Sequence, residues 1–184
     1  STIIVPYAGR ASRAINVHGT ATSSFLHLAG VLDPMIGGPT IDPASEDIVF
    51  RRSLYFTHSR DDRAKFISMF DDADILQCYR RKESIVPQQA LALSNSKLAL
   101  NMSRKIAGRL EEELGDVSNK QFVIAAFETV LLARPTARET IACLEAMKET
   151  TAALREGKHA SPDVRARQNL VHALLNHNDF VTTR

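Results

Sequence analysis

The amino-acid sequence predicts a mainly α-helical bundle that carries a long, irregular but ordered segment at about 33–86 and at most one short strand or hairpin. Apolar residues recur every three to four positions through most of the C-terminal half, which is typical of amphipathic helices. Capping residues, prolines and glycines separate these periodic stretches, where helices begin and end. The periodicity fails at 33–86, where proline and glycine indicate turns. We therefore expect about half of the residues or more to be helical.

The N-terminal half has the weaker signals. Residues 15–32 are rich in apolar side chains and predict a helix, although Gly19 and the serines and threonines that follow it weaken the prediction. Apolar and polar residues alternate at 50–56, which suggests one short strand or extended piece. Residues 61–70 suggest a short helix, and a further helical turn is expected at 87–93, after which serine and asparagine interrupt it.

Two helices follow in the C-terminal half. The first ends near Gly115, and the second has Ser118 or Asn119 as its N-cap. Their core-facing side chains are predicted to be Leu98, Met102, Ile106, Leu110 and Leu114 in the first helix, and Phe122, Val123, Ala126, Phe127 and Val130 in the second.

Two more helices complete the predicted bundle. Thr136 and Glu139 form a capping box that opens the third helix. Ser161 is predicted to cap the fourth helix, with Pro162 at its first position. The apolar stripes run through Ile141, Leu144 and Met147 in the third helix, and through Val164, Leu170, Val171, Leu174 and Leu175, expected to face inward, in the fourth.

Length, composition and charge define the broad class of protein. The 184 residues, 44% of them hydrophobic, suit a single domain at 1–184, with 1–12 as a boundary segment. We expect this domain to be the C-terminal module of a longer protein. A formal net charge of +2 is too small to indicate a nucleic-acid partner. No apolar run has the length of a bilayer span, so membrane insertion is not expected.

Cysteines and histidines give no pattern typical of a metal or haem site. Cys78 and Cys143 are far apart in sequence, and neither belongs to a CxxC or CxxCH motif. The six histidines are scattered without paired ligand spacing. We therefore expect no metal and no cofactor in this segment.

Several blocks of sequence carry a resemblance to a known family. In chain order they are Leu32-Asp33-Pro34, Gly37-Gly38-Pro39, Arg51-Arg52-Ser53-Leu54-Tyr55-Phe56, Phe70-Asp71, Cys78-Tyr79-Arg80-Arg81, Ser84-Ile85-Val86-Pro87-Gln88-Gln89-Ala90-Leu91-Ala92-Leu93 and Leu174-Leu175-Asn176-His177-Asn178-Asp179-Phe180. Together they resemble the planctomycete-type C-terminal domain of unknown function. The chain departs from the family near Thr20-Ala21-Thr22-Ser23, where relatives tend to carry a charged helix.

The resemblance implies a setting for the chain. Relatives sit at the end of large proteins, after a second uncharacterised domain and often a c-type cytochrome module. It therefore implies an extracytoplasmic location, periplasmic or at the cell surface, and a haem in a separate domain of the parent protein. Genes of the family often lie near enzymes that degrade sulfated polysaccharide, which suggests an acidic polysaccharide as a candidate partner.

Two arginine pairs in the irregular segment are the main candidate site. Arg51, Arg52, Arg80 and Arg81 could form an anion pocket, since the planar guanidinium binds carboxylate, sulfate or phosphate through two hydrogen bonds. Gln88, in a first helical turn, could assist. The alternative, which we favour, is that these arginines pair with local acids and hold the segment on the bundle. Those acids are Asp71, Asp72, Asp74 and Glu83.

Two further side chains are secondary candidates. Cys78 could be a reactive thiol beside Arg80 and Arg81, or a small buried hydrophobe, which is the more usual role of a free cysteine. His177 could be a general base, or part of a polar run that stops the last helix and caps its backbone groups. Cys143 lies on the flank of an apolar stripe and is expected to pack.

Two classes of function remain open on the sequence. The first is a structural or interaction module that packs on a neighbouring domain of the same polypeptide and needs no catalytic residues. The second is part of an enzyme or binding site for sulfated or carboxylated polysaccharide, linked to a cytochrome c electron-transfer module. Only the arginine pairs and the long irregular segment support the second class.

Overall fold

The computed structural model describes residues 17–45, 48–57 and 94–181, and these residues are mostly helical. The helices are α1 (Val17–Leu28), α2 (Lys97–Leu114), α3 (Asn119–Val130), α4 (Ala137–Glu156), α5 (Pro162–Leu175) and the single-turn α6 (Asn178–Val181). Two 3-10 turns, Pro43–Ser45 and Ser53–Tyr55, lie between α1 and α2. The described residues contain no β-strand, and the predicted mainly α fold is confirmed.

Side-chain caps set the ends of α2 and α3. The Ser96 hydroxyl accepts a hydrogen bond from Ala99 N at 3.0 Å, which satisfies a free N–H of the first turn of α2. Helix α2 ends at Gly115, whose φ of 70° favours glycine. Ser118 and Gln121 form a reciprocal capping box at the start of α3. The predicted ends of both helices are thus confirmed, with Ser118 rather than Asn119 as the cap.

The two remaining long helices begin differently. At α4 the predicted capping box is present: the Glu139 carboxylate accepts from Thr136 N at 2.7 Å, and Thr136 Oγ1 accepts from Glu139 N at 3.3 Å. At α5 the prediction was wrong in part. Pro162 occupies the first turn, but Ser161 is left-handed, with a φ of 53°, and its side chain makes no capping hydrogen bond. In that conformation the Ser161 carbonyl oxygen accepts a hydrogen bond from Arg165 N, and the hydroxyl does not cap the helix.

Helix α5 lies at the centre of the bundle and packs against α2, α3 and α4, most extensively against α2 and α4. Burial of the apolar stripes gives the main hydrophobic stabilisation of the fold. The buried residues are Leu98, Met102, Ile106 and Leu110 in α2, Phe122, Val123, Ala126, Phe127 and Val130 in α3, Met147 in α4, and Leu170, Val171, Leu174 and Leu175 in α5.

Two apolar residues of the predicted stripes lie outside the core. Ile141 is 56% exposed because α4 buries only a narrow stripe that contains Thr140 and Met147. Val164, predicted to face inward, is 39% exposed, since the buried stripe of α5 begins only at Ala166 and the first turn stands outside it. The sequence pattern located both helices but overestimated the width of their buried faces.

One arginine joins three elements of the bundle. Arg167 of α5 donates to Glu111 of α2 at 3.2 Å, to Asn119 at the start of α3 at 3.1 Å, and to Val117 O at 3.0 Å. Its guanidinium also lies 4.9 Å from the centre of the Phe122 ring. Because its side chain is only 17% exposed, these contacts are partly shielded from water and stabilise the α2–α3 junction.

Helix α1 closes one side of the core. Phe25 and Leu26 are fully buried against α2 and its neighbours. The ring of Phe180, in α6, stacks on the ring of Phe25 with centroids 5.3 Å apart. The first and last described helices therefore meet.

The expected strand at 50–56 is reduced to a single contact. Residues 53–55 form a 3-10 turn, which interrupts the extended backbone. Within the described part of the chain a single isolated parallel bridge forms, between Ile41 and Phe56. Ile41 N donates to Tyr55 O at 2.8 Å, and Thr57 N donates to Ile41 O at 2.9 Å. The short helices expected at 61–70 and 87–93 lie outside the described residues.

Candidate functional site

Arg51 is the centre of a turn-rich segment at 33–57, of which 33–45 and 48–57 are described; we call this segment the Arg51 loop. Arg51 is only 5% exposed. Its Nη2 donates hydrogen bonds to Met35 O at 3.0 Å and to Gly37 O at 2.5 Å. The guanidinium thus fixes the first half of the loop to the second half.

Tyr55 and two glycines complete the environment of Arg51. The guanidinium carbon lies 4.0 Å from the centre of the Tyr55 ring, in cation–π geometry. The Tyr55 hydroxyl accepts a hydrogen bond from Gly37 N at 3.1 Å. Gly37 and Gly38 have φ values of 81° and 99°, which side-chain-bearing residues rarely adopt. The glycine turn therefore bends the chain tightly around the guanidinium.

Asp33 is the nearest described carboxylate to Arg51. Its Oδ1 accepts from Met35 N at 2.9 Å, and its backbone N–H donates to Phe50 O at 2.8 Å. Its Oδ2 lies 3.9 Å from Arg51 Nε, which is too far for a hydrogen bond. Arg51 Nε is buried and has no hydrogen-bond acceptor among the described residues.

The Arg51 loop also displays large apolar side chains to solvent. Met35 is 54% exposed, Ile36 87%, Ile48 76% and Leu54 70%. These are four of the seven large hydrophobic residues that are exposed in the described chain. Arg51 thus connects parts of the loop from inside, while four large apolar side chains of the loop are exposed.

The other predicted site residues are placed as follows. Arg52 is exposed, next to Arg51. Arg80, Arg81, Gln88 and Cys78 lie outside the described residues, as do the acids proposed as their partners. The structure therefore brings Arg51 and Arg52 to one loop and gives them different surroundings.

His177 lies far from the Arg51 loop in sequence, at the end of α5. It is exposed, and its Nδ1 accepts a hydrogen bond from Asp179 N at 3.2 Å, at the start of α6. The Asn176 side chain donates to His172 O at 2.7 Å. Both side chains bind backbone groups where one helix stops and another begins, as the capping hypothesis expects.

Cys143 and Glu139 are neighbours on α4. Cys143 is a free thiol, partly buried against the core. Burial, and then the negative charge of Glu139, raise the pKa of this thiol above its ordinary value. Hydrogen bonds from Thr136 lower the pKa of the Glu139 carboxyl, and His177 adds a smaller lowering effect. A thiol with a raised pKa holds less thiolate at neutral pH and is a poor nucleophile.

The described residues form neither a metal-binding cluster nor a membrane-spanning helix. No three histidine, cysteine or acidic side chains of the described residues lie close enough together to hold a metal ion. None of the described helices is long and apolar enough to cross a membrane.

A family model matches residues 19–147, which is more than half of the chain and includes the whole Arg51 loop. The family is described as PSD1, a protein of unknown function (DUF1553). The chain belongs to the PSD1 family. This confirms the resemblance to a domain of unknown function at the level of the family. No curated protein and no solved structure matched the chain.

Sequence reasoning missed the exposed apolar side chains of the PSD1 chain. Phe56 is buried in the Arg51 loop, whereas Met35, Ile36, Ile48 and Leu54 are exposed. Nothing in the pattern linked the turn Gly37-Gly38-Pro39 to Arg51, although both lie in blocks that carry the family resemblance. Ile36 lies between the turn signals Pro34 and Gly37-Gly38-Pro39, and this position was the one sequence signal for an exposed apolar side chain.

Proposed function

We propose that this chain is an interaction module that uses the Arg51 loop to pack on a neighbouring domain of the same polypeptide. The observation that carries the proposal is the group of four exposed apolar side chains on a loop that is fixed from inside. Single exposed hydrophobics are normal on protein surfaces, and four of them on one short loop support its use as an interaction surface.

The rigidity of the loop supports this role. Binding through a flexible loop costs the entropy of ordering it, whereas a loop that is already held in shape avoids most of that cost. Arg51, Tyr55 and the Ile41–Phe56 bridge connect separate parts of the described loop, which favours a fixed conformation. Met35, Ile36 and Leu54 are therefore displayed in a preorganised arrangement.

Two side chains that could perform chemistry have other roles in the fold. The raised pKa of Cys143 disfavours its nucleophilic form, and His177 Nδ1 is already engaged by a backbone N–H. These contacts support a non-catalytic module over a hydrolytic site at α4 and α5.

Hydroxyl-radical footprinting of the full-length polypeptide tests the proposal. Met35, Ile36 and Leu54 should be labelled strongly in the isolated chain and weakly in the full-length polypeptide, where the neighbour covers them. Leu132, which is 78% exposed outside the loop, is the control and should be labelled in both. Equal labelling of the loop side chains in the two samples would show that no neighbour packs there.

We also propose an extracytoplasmic location, which the family resemblance supports. This location matters for the thiols of Cys78 and Cys143, because extracytoplasmic compartments are oxidising. Cell fractionation with a periplasmic and a cytoplasmic marker tests it. Recovery of the protein with the cytoplasmic marker would contradict it.

A further inference from the structure

Arg51 carries a positive charge that the described residues compensate only in part. The side chain is 6% exposed, and only Nη2 donates hydrogen bonds, both to backbone carbonyls. An arginine has five N–H donors. The buried Nε has no hydrogen-bond acceptor among the described residues, and the nearest described carboxylate oxygen lies 3.9 Å from it. The hydrogen bonds of the guanidinium to described residues come from Nη2 and not from Nη1. A buried guanidinium normally has a closer anionic partner, because an unpaired buried charge is strongly unfavourable.

Asp33 is held back from becoming that partner. Its carboxylate accepts the hydrogen bond from Met35 N at 2.9 Å, within the same turn that encloses Arg51. With Oδ1 engaged in this way, Oδ2 lies 3.9 Å from Nε. Asp33 therefore offsets part of the charge and leaves the remaining N–H donors available.

Arg51 Nη1 lies beside Gly38, on the side of the guanidinium where the loop carries no side chain; we call this side the Gly38 gap. Gly38 is exposed, and a Cβ placed on it would lie 3.5 Å from Arg51 Nη1. Because Gly38 has no side chain, nothing from this residue covers Nη1. The same Cβ position is 3.9 Å from Met35 Cε, so an apolar side chain borders the Gly38 gap.

We propose that Arg51 Nη1, with Met35, Ile36 and Leu54, binds a protein segment that places an Asp or Glu carboxylate among apolar side chains. The proposal rests on the docking function above and names the chemistry of the docking partner. The carboxylate complements the partly compensated charge of the guanidinium, and the apolar side chains cover Ile36 and Leu54, which are 87% and 70% exposed. A polar sugar chain would satisfy Arg51 and leave this apolar surface uncovered, so a protein segment is the better match.

A display library of short random peptides, selected on the purified chain, is the direct test. Selected peptides should share an acidic residue flanked by large apolar residues. Replacing that residue with its amide, Asp→Asn or Glu→Gln, should weaken binding about tenfold or more, as removal of one partner of a shielded charge pair does. The amide change is made in the peptide, so the result does not depend on whether an Arg51 variant folds.

Variants of the chain identify the surface. Ile36→Glu should abolish peptide binding, and Leu132→Glu, at an exposed position outside the loop, should not change it. Arg52→Ala should leave the affinity within about twofold, since Arg52 is exposed and makes no described contact with the Gly38 gap. In NMR spectra, the Arg51 Nε–H signal should shift with the acidic peptide and much less with its amide form.

Three outcomes would overturn the inference. One is peptide binding that ignores the acid-to-amide change, which would leave only apolar docking. Another is that the Arg52→Ala variant loses peptide binding while the acidic peptide does not shift the Arg51 Nε–H signal of the wild-type chain. The third is a library without acidic consensus while a sulfated oligosaccharide shifts the Arg51 signal, which would assign the site to a glycan. If the loop side chains are labelled as strongly in the full-length polypeptide as in the isolated chain, the proposal of docking on a neighbouring domain is overturned, independently of the peptide result.

Discussion

Arg51 is held by the backbone of a turn that lies 14 to 16 residues earlier in the chain. The sequence indicated that the arginines of the irregular segment would fix it to the rest of the fold, but it suggested Asp71, Asp72, Asp74 and Glu83 as partners. Backbone carbonyls leave no compositional signal, since every residue has one. The partners of Arg51 at Met35 and Gly37 could therefore not be predicted from residue types.

Replacement of Arg51 with alanine should loosen the Arg51 loop while α2 to α5 stay folded. Loss of charged hydrogen bonds to two carbonyls should cost about 1.5–3 kcal/mol. Amide exchange at Ile41 and Thr57, whose hydrogen bonds form the only described bridge of the loop, should accelerate by about tenfold or more. Arg52→Ala is the matched control and should leave exchange unchanged. Wild-type exchange rates in Arg51→Ala would remove the structural role assigned to this residue.

The second arginine pair is predicted to be structural as well. Arg80→Ala together with Arg81→Ala should lower the free energy of unfolding by several kcal/mol, because it leaves acids of the segment without partners. Chemical denaturation and binding of a sulfated oligosaccharide should be measured on the same variant. A double variant that unfolds like the wild type and no longer binds the oligosaccharide would instead assign Arg80 and Arg81 to an anion site.

Cys143 should not form a disulfide with Cys78. Cys143 is a free thiol on the flank of α4, and a bridge requires the two Cα atoms to lie within about 7 Å. Intact mass after alkylation, with and without prior reduction, measures this directly. A gain of two alkyl groups only after reduction would show that the two cysteines are bridged. Because its pKa is raised, Cys143 should also alkylate slowly at neutral pH in the folded chain and rapidly after unfolding.

At the scale of elements, the sequence was most informative where side chains cap helices. Ser118, Thr136 with Glu139, and Gly115 all set helix ends as predicted, because capping depends on local chemistry that the sequence contains. Ile141 and Val164 were misplaced, because the width of a buried face depends on which neighbours a helix meets. At 50–56, where a short strand or extended piece was predicted, residues 53–55 form a 3-10 turn, which alternation of apolar and polar residues does not reveal.

The capping box of α4 should make stability depend on pH in the acidic range. The pKa of Glu139 is lowered from its ordinary 4.5 in the folded chain, so its stabilising effect is present above 4.5 and is lost as the pH falls through the lower, folded value. Glu139→Gln should remove this part of the pH dependence. Urea denaturation of both proteins at several acidic pH values gives the comparison. Parallel stability curves for the two proteins would contradict the expectation.

Thr136→Ala removes the other half of the same capping box. It should lower the free energy of unfolding by about 0.5–2 kcal/mol, the usual effect of losing an N-cap hydroxyl. Because Thr136 N–H still reaches Glu139 in this variant, the pH dependence should shrink and not vanish. Thr151→Ala, in the interior of α4, is the control for a general effect of removing a threonine.

At the scale of the whole molecule, the fold extends past the region that the family model matches. The match ends at residue 147, inside α4, whereas α5 lies at the centre of the bundle. Val171 and Leu175 of α5 are fully buried. A chain that ends after Met147 should therefore remain unfolded or aggregate, and circular dichroism with thermal melting measures this. A cooperative melt of the shortened chain would show that α5 is dispensable.

The stack of Phe180 on Phe25 has a consequence for how the protein is made. At a synthesis rate of about 5–20 residues per second, Phe180 is added on the order of 10 s after Phe25. During that interval the apolar face of α1 has no partner from α6, and α5 has not yet been added to cover α2. The growing chain thus exposes the residues of its future core until α5 and α6 have been synthesised. A nascent chain of this kind is a natural client for chaperones that bind apolar segments at the ribosome.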